Sequence, residues 1–261
     1  MNFRPMMTLT LVLLLAGCSA TTQTTSGRNY LEKYGDVVDE DPGKSGSVND
    51  AIVAAASVEP VLRFPARIGL ARLDKFGRLS AIPEPEAVHW KALLERLGDG
   101  FGDFVPVDPM ISKLATGAVD RKLLASMTPV DHVRLAAARQ HLDAVLLYQV
   151  STVDEYRNNA LSGLDFTLIS AFLLPSRSVK SEAVGAALLI DVIQGYPYAS
   201  LQTTARESDI ATWYGAEDKA GRMQDRLRLT VTAQLTEEAE TAFNRLYREL
   251  DQLDRAARRE L

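Results

Sequence analysis

Cysteine is almost missing from this chain: one residue, Cys18, in 261. No intrachain disulfide can form, which excludes a disulfide-stapled scaffold. Histidine is nearly as scarce, with three in the whole sequence. There is no His-Glu-x-x-His helix, no Gly-x-Ser-x-Gly elbow and no cysteine pair, so zinc-protease, α/β-hydrolase and structural-zinc chemistry lack their residues. No metal or other cofactor is called for. An excess of positive charge is missing as well: 29 Lys and Arg face 34 Asp and Glu, a net charge of −5, which leaves no basic footprint for nucleic acid. The remainder is ordinary. With 46% hydrophobic and 24% charged residues, the composition is that of a globular protein long enough to bury its own core.

The first eighteen residues carry an address. Arg4 supplies the only side-chain charge of a short leading region, and an apolar stretch follows through Ala16. From Met6 to Gly17 this is about a dozen residues, where roughly 20 are needed to cross a bilayer as a helix. It reads as a secretory signal peptide over residues 1–17. Its end, Leu15-Ala16-Gly17-Cys18, resembles the lipobox of bacterial lipoproteins. That resemblance implies alkylation of the Cys18 thiol by diacylglycerol, cleavage before Cys18, and acylation of the new amine, for example with palmitate. Ser19 stands where an aspartate would imply inner-membrane retention, so the resemblance implies the outer membrane, with the domain facing the periplasm. Three acyl chains lie well beyond the marginal one-chain regime of membrane binding.

Residues 18–47 read as the lipidated cysteine and a flexible tether. Ser19 to Gly27 has no charge and little to bury, so it cannot offset its ordering entropy. The piece Arg28 to Tyr34 can dock or form one helical turn, and Asp39 to Ser47 returns to linker chemistry. As flexible coil, the stretch places the domain on the order of 30 Å from the lipid surface. Gly43-Lys44-Ser45 lacks the earlier glycine of a phosphate loop, since position 38 is Val38.

Residues 48–261 read as a single α/β domain: a mixed sheet of about four to six strands packed with helices and closed by a long C-terminal helix. Arg67 to Leu73 alternates as a first strand. Pro83 to Glu86 starts a helix with acids at its positive end, Val88, Leu93, Leu94 and Leu97 recur at helical spacing, and Gly98 stops it. Asp103 to Val107 is a short strand. Asp131 is the expected N-cap of a helix reaching about Leu142, with Val133, Ala137, Ala138 and Leu142 inward. Asp143 to Val150 is apolar on both faces, as a central strand is. Phe166 to Leu174 is apolar without a clear period. Val184 to Ile193 reads as a buried strand, Gln194-Gly195 as its turn, and Tyr196 to Arg206 as its hairpin partner. From Leu227 to Leu253, apolar residues recur at three- and four-residue steps, and Arg255, Arg258 and Arg259 close the helix.

Three stretches, Ile68 to Leu73, Asp143 to Val150 after an Ala-rich helix, and Asp191-Val192-Ile193-Gln194-Gly195, resemble periplasmic accessory domains. These are related to the curli secretion-channel component, the penicillin-binding-protein activators and the N-terminal domain of the Tol-Pal translocation protein. The resemblance covers roughly residues 67 to 253 and implies an assembly or partner-regulating role. The chain is also similar to rhombotarget lipoproteins, although the substrates of that system end in a glycine pair, an apolar span and basic residues, and this sequence ends in a charged helical stretch.

Catalytic constellations are thin. His132 and His141 are nine residues apart, about 900° of helix rotation, so they face opposite sides. His89 beside Trp90 reads as a core-edge imidazole. The candidates for partner contact are Tyr196 and Tyr198 at the hairpin turn, and Trp213 and Tyr214 in the following loop, because amphipathic aromatics on turns are common anchors; folding back over the sheet edge is the alternative. Asn158 and Asn159 read as a loop. The reading is therefore a lipid-anchored envelope lipoprotein with a non-catalytic assembly, scaffolding or partner-regulating role, bound to the membrane by its N-terminal lipid and to a protein partner in the envelope. Its rivals are an envelope hydrolase with an unrecognised site, favoured if a cavity joins His132 or His89 to a buried carboxylate, and a ring or pore former. Barrel strands alternate apolar and polar over ~10 residues, and Val184 to Ile193 does not.

Overall fold

The computed structural model describes residues 19–34, 48–154, 181–207 and 216–259. Its centre is a mixed sheet in the order β1-β7-β6-β5-β2-β3, with β4 also paired to β2. The strands are β1 (Ser19–Thr22), β2 (Ala66–Leu73), β3 (Leu79–Ser80), β4 (Gly102–Pro106), β5 (Ala144–Asp154), β6 (Ser181–Asp191) and β7 (Pro197–Glu207). The helices are α1 (Gly27–Glu32), α2 (Val48–Ala56), α3 (Glu84–Leu97), α4 (Pro109–Thr116), α5 (Arg121–Ser126), α6 (Pro129–Arg139) and α7 (Ala216–Ala257). β2 runs parallel to β4 and β5, and the other pairings are antiparallel. The mixed α/β architecture with a long last helix is the one expected, and the five expected strands are all present.

Alternation along the strands sorts the core into two layers. Ile68, Leu70, Ala144, Leu146, Tyr148, Ala187, Leu189 and Leu201 meet Trp90 and Leu93 of α3 and Leu227 to Leu250 of α7 on one face. Ala71, Leu73, Val145, Leu147 and Ile190 meet Val133, Ala136 and Ala137 of α6 on the other. β5 is buried on both faces because both layers use it, which is why it reads as a continuous apolar run. Gly185 of β6 permits close approach of α7 in the first layer. A Cβ there would come within 2.8 Å of Leu235 and also collide with Val231.

Several expectations change. Asp131 is not the N-cap of α6. Thr128 is: its hydroxyl accepts the Asp131 amide at 3.2 Å and the Asp131 carboxylate accepts the Thr128 amide at 2.9 Å. Pro129 fits the first helical position that follows, completing a capping box. α6 ends at Arg139, so His141 lies beyond it, in left-handed backbone at φ 56°. The inward stripe of α3 is Glu86, Trp90 and Leu93, while Val88 is 59% exposed; one buried carboxylate shifts the phase that the aliphatic residues suggest. Ser19 to Thr22 is not free coil but the edge strand β1, paired with Ala199 to Gln202. The folded unit thus begins before residue 48, because backbone pairing with β7 stabilises a segment whose only apolar side chain is Ala20. Phe166 to Leu174, Asn158, Asn159 and Gly43 to Ser45 lie outside the described residues.

Candidate functional site

Tyr196 and Tyr198 do not form an exposed contact surface. They are 4% and 0% exposed, with their rings 4.9 Å apart. Pro197 opens β7 and the strand alternation turns both rings inward, towards the N-terminal segment. The Tyr198 hydroxyl accepts the Val61 and Leu62 amides at 2.9 and 2.7 Å, and the Tyr196 hydroxyl donates to the Thr25 carbonyl at 2.8 Å. Burial, then neighbouring Tyr198, Glu59 and Glu249, pushes Tyr196 up to about 12. Burial pushes Tyr198 up to about 12 as well. Both are core phenols that fasten Thr25, Val61 and Leu62 to the sheet. Trp213 and Tyr214, and Cys18 with Leu15, Ala16 and Gly17, lie outside the described residues.

The fastening continues along the N-terminal segment. Beyond the four β1 rungs, the Gln23 amide donates to the Tyr198 carbonyl at 2.9 Å, and the Thr24 hydroxyl donates to Glu249 of α7 at 3.2 Å. Ser26 caps α1, and the Arg28 amide donates to Glu59 at 2.9 Å. The Arg28 amide and the Ser26 hydroxyl hold Glu59 below the usual carboxylate range. Gly27 sits so close to the end of α2 that a Cβ would strike the backbone of Ala56 and Ser57.

The densest polar chemistry is a buried cluster that the sequence did not single out. Arg72 of β2 grips Glu86 of α3 through two bonds of 2.8 and 3.0 Å, and reaches the Ser80 hydroxyl at 3.1 Å. The Tyr148 hydroxyl of β5 donates to the same carboxylate at 2.9 Å. Glu86 is 1% exposed. Burial opposes the charge on Arg72, but Glu86 outweighs it and raises the guanidinium further. Burial, then the Glu86 charge, drives Tyr148 well above the ordinary phenol range. Trp90 packs on Tyr148 with ring centroids 4.8 Å apart. The cluster is closed: each of its ionised groups is met by another, which makes it a bridge joining α3 to the sheet. A lone glutamate among apolar residues at the inward phase of α3 is the only signal that could have found it.

Among the cavities of the described surface are two with charged side chains in their walls. One, of about 560 Å³, lies beside the β6–β7 turn, with Arg63, Leu142, Asp143, Asp191 and Gln194 in its wall. Asp143 and Asp191 are engaged there with backbone, accepting the Arg67 amide at 2.7 Å and the Gln194 amide at 2.5 Å. The other, of about 450 Å³, lies between the β2–β3 turn and α4 to α6, and His132 lines it with Phe76, Arg78, Lys113 and Met127. Among the described residues no carboxylate stands in its wall, so His132 is not joined there to the buried Glu86 or Asp191, nor does His89 or Glu86 line either cavity. Among the described residues no three His, Cys, Asp or Glu side chains gather to hold a metal ion, and no helix is long and apolar enough to cross a membrane.

No protein-family model matches the sequence, and no curated protein matches it. Solved structures that resemble it include lipoprotein GNA1162 from Neisseria meningitidis, 14% identical, with 62% of this chain and 95% of that one covered and a TM-score of 0.29. They also include a PelC dodecamer from Paraburkholderia phytofirmans, 16% identical, with 68% and 91% covered and a TM-score of 0.28. A likeness of that size carries no conclusion about this chain.

Proposed function

We propose that this chain is a lipid-anchored lipoprotein of the bacterial envelope whose α/β domain works by binding a protein partner, not by turning over a substrate. The observation that carries the proposal is Leu15-Ala16-Gly17-Cys18 at the end of a short apolar leader, in a chain with no other cysteine. The fold is compatible with it, since the first residue after the cysteine already belongs to the sheet. Ser19 in place of aspartate favours the outer membrane, with the domain in the periplasm. The binding role is supported by the chemistry of the described residues: of the two buried carboxylates, Glu86 is engaged by Arg72 and Tyr148 and Asp191 by the Gln194 amide. The hydrolase reading asks for a histidine and a carboxylate in one cavity, and the cavity that holds His132 has none.

The test is direct. In cells fed labelled palmitate, the wild-type chain takes up label and fractionates with the outer membrane, while Cys18→Ala takes up none and is lost from it. Label in the alanine variant, or a wild-type chain that is neither processed nor acylated, refutes the assignment. Cross-linking in intact cells followed by purification tests the binding role, for which a discrete partner band is the expected result.

A further inference from the structure

We infer that the lipid is attached to the domain without a spacer, so that the β1–β7 corner of the sheet is the surface held against the bilayer. This rests on the proposed acylation of Cys18. A lipoprotein on a flexible leash has free coil between its cysteine and its first fixed residue. Here the residue after Cys18 is Ser19, already paired with Gln202. Adjacent Cα atoms are ~3.8 Å apart, so a single peptide unit separates the proposed attachment point from a residue fixed in the sheet. The following residues give no slack, because bonds from Gln23, Thr24, Thr25 and Arg28 reach β7, α7 and Glu59.

The chemistry of that corner suits a lipid headgroup surface. The protein is acidic overall, yet every side chain from Ser19 to Ser26 is uncharged. Ala20 and its partner Leu201 turn towards α7. The alternate residues Ser19, Thr21, Ser200, Gln202 and Thr204 therefore share the opposite face, hydroxyl- and amide-bearing, and it ends at Arg206, which pairs with Glu182 across the strands at 3.1 Å. Glu182 there is paired with Arg206, and Glu249 accepts the Thr24 hydroxyl from the α7 side, so an anionic bilayer repels this corner less than the acidic remainder of the molecule. By contrast, Asp103 on β4 lies four strands from β7, about 20 Å across the sheet at ~4.8 Å per strand.

The experiment uses the full lipidated chain in phosphatidylethanolamine–phosphatidylglycerol vesicles carrying a fluorescent-acceptor headgroup lipid. Acylation consumes the only thiol, so a single introduced cysteine takes a donor dye uniquely. Energy transfer from Thr204→Cys is expected to be several-fold higher than from Asp103→Cys, and a Gly/Ser insert of about ten residues between Cys18 and Ser19 is expected to erase the difference. Ser200→Cys stands in if Thr204→Cys does not fold. Equal transfer from both positions in the acylated, uninserted protein overturns the inference. Hydrogen exchange on the unsubstituted lipidated protein gives a second reading: the amides of residues 20–23 are expected to exchange far more slowly than coil, and coil-like exchange there overturns it too. Labelled palmitate in the same sample separates the two failures. Without acylation the lipoprotein reading itself falls; with acylation and equal transfer, only the spacer-free attachment does.

Discussion

At the scale of single residues, the buried ion pair has the largest leverage. Arg72 and Glu86 are 14% and 1% exposed at their side chains, so removing either leaves the other charged without its partner. Glu86→Ala is expected to cost on the order of 3–5 kcal/mol, whereas Arg72→Met with Glu86→Leu recovers most of that loss, because two apolar groups avoid both desolvation penalties. Urea unfolding of the two single variants and the double checks the pattern, and simple additivity would contradict it. Tyr198→Phe is expected to cost about 1–3 kcal/mol, since it leaves the Val61 and Leu62 amides without their acceptor. Acid sensitivity also belongs here. Burial raises Asp74, but the Arg78 amide and guanidinium and the Phe76 amide outweigh it and hold it low. Burial raises Asp131 likewise, and the Thr128 hydroxyl and amide, then Arg134 and His132, overcome it. A carboxylate held low in the folded state adds stability above its unfolded value near 4. That stability fades as pH falls through the lower folded value. The acid limb of stability against pH is therefore expected to flatten in Asp131→Asn.

Elements are held by contacts that single sequence windows do not display. α7 lies on β6 across Gly185, whose missing side chain is what lets Val231 and Leu235 approach. Gly185→Ala is expected to destabilise by about 1–3 kcal/mol through overpacking, read as a lower thermal midpoint, and Leu235→Ala in the same chain restores part of it. The capping box of α6 is legible as Thr-Pro-x-Asp once the helix start is placed at Pro129. Reading Asp131 as the cap misplaces that start by three residues, because Asp suits both positions. β5, β6 and the hairpin turn were legible: β5 and β6 are long apolar runs, and Gly195, which takes φ 75° in the structure, turns the chain from β6 into β7. α3 was legible as a helix but not in phase, since Glu86 takes a core position that only its Arg72 and Tyr148 partners make tolerable.

For the whole molecule, the sheet continues to the N-terminal edge strand. A chain starting at Val48 loses β1, α1 and the partners of Tyr196, and leaves the β7 edge open to other strands. It is expected to melt below the chain starting at Ser19 and to associate on size-exclusion chromatography; an equally stable monomer would show that the segment adds nothing to the fold. The sequence by itself determined the α/β class, the central apolar strands, the hairpin and the long amphipathic helix, because periodicity and turn residues are local properties. It also carried Leu15-Ala16-Gly17-Cys18, on which the proposed lipidation rests. Only the tertiary structure decided that Ser19 to Thr22 is a strand, that Tyr196 and Tyr198 are core, and that Glu86 is buried. In each case the deciding partner, β7, the N-terminal segment or Arg72, is distant in the chain or absent from the local pattern. A hydroxyl-rich segment reads as coil until a neighbouring backbone offers its amides and carbonyls.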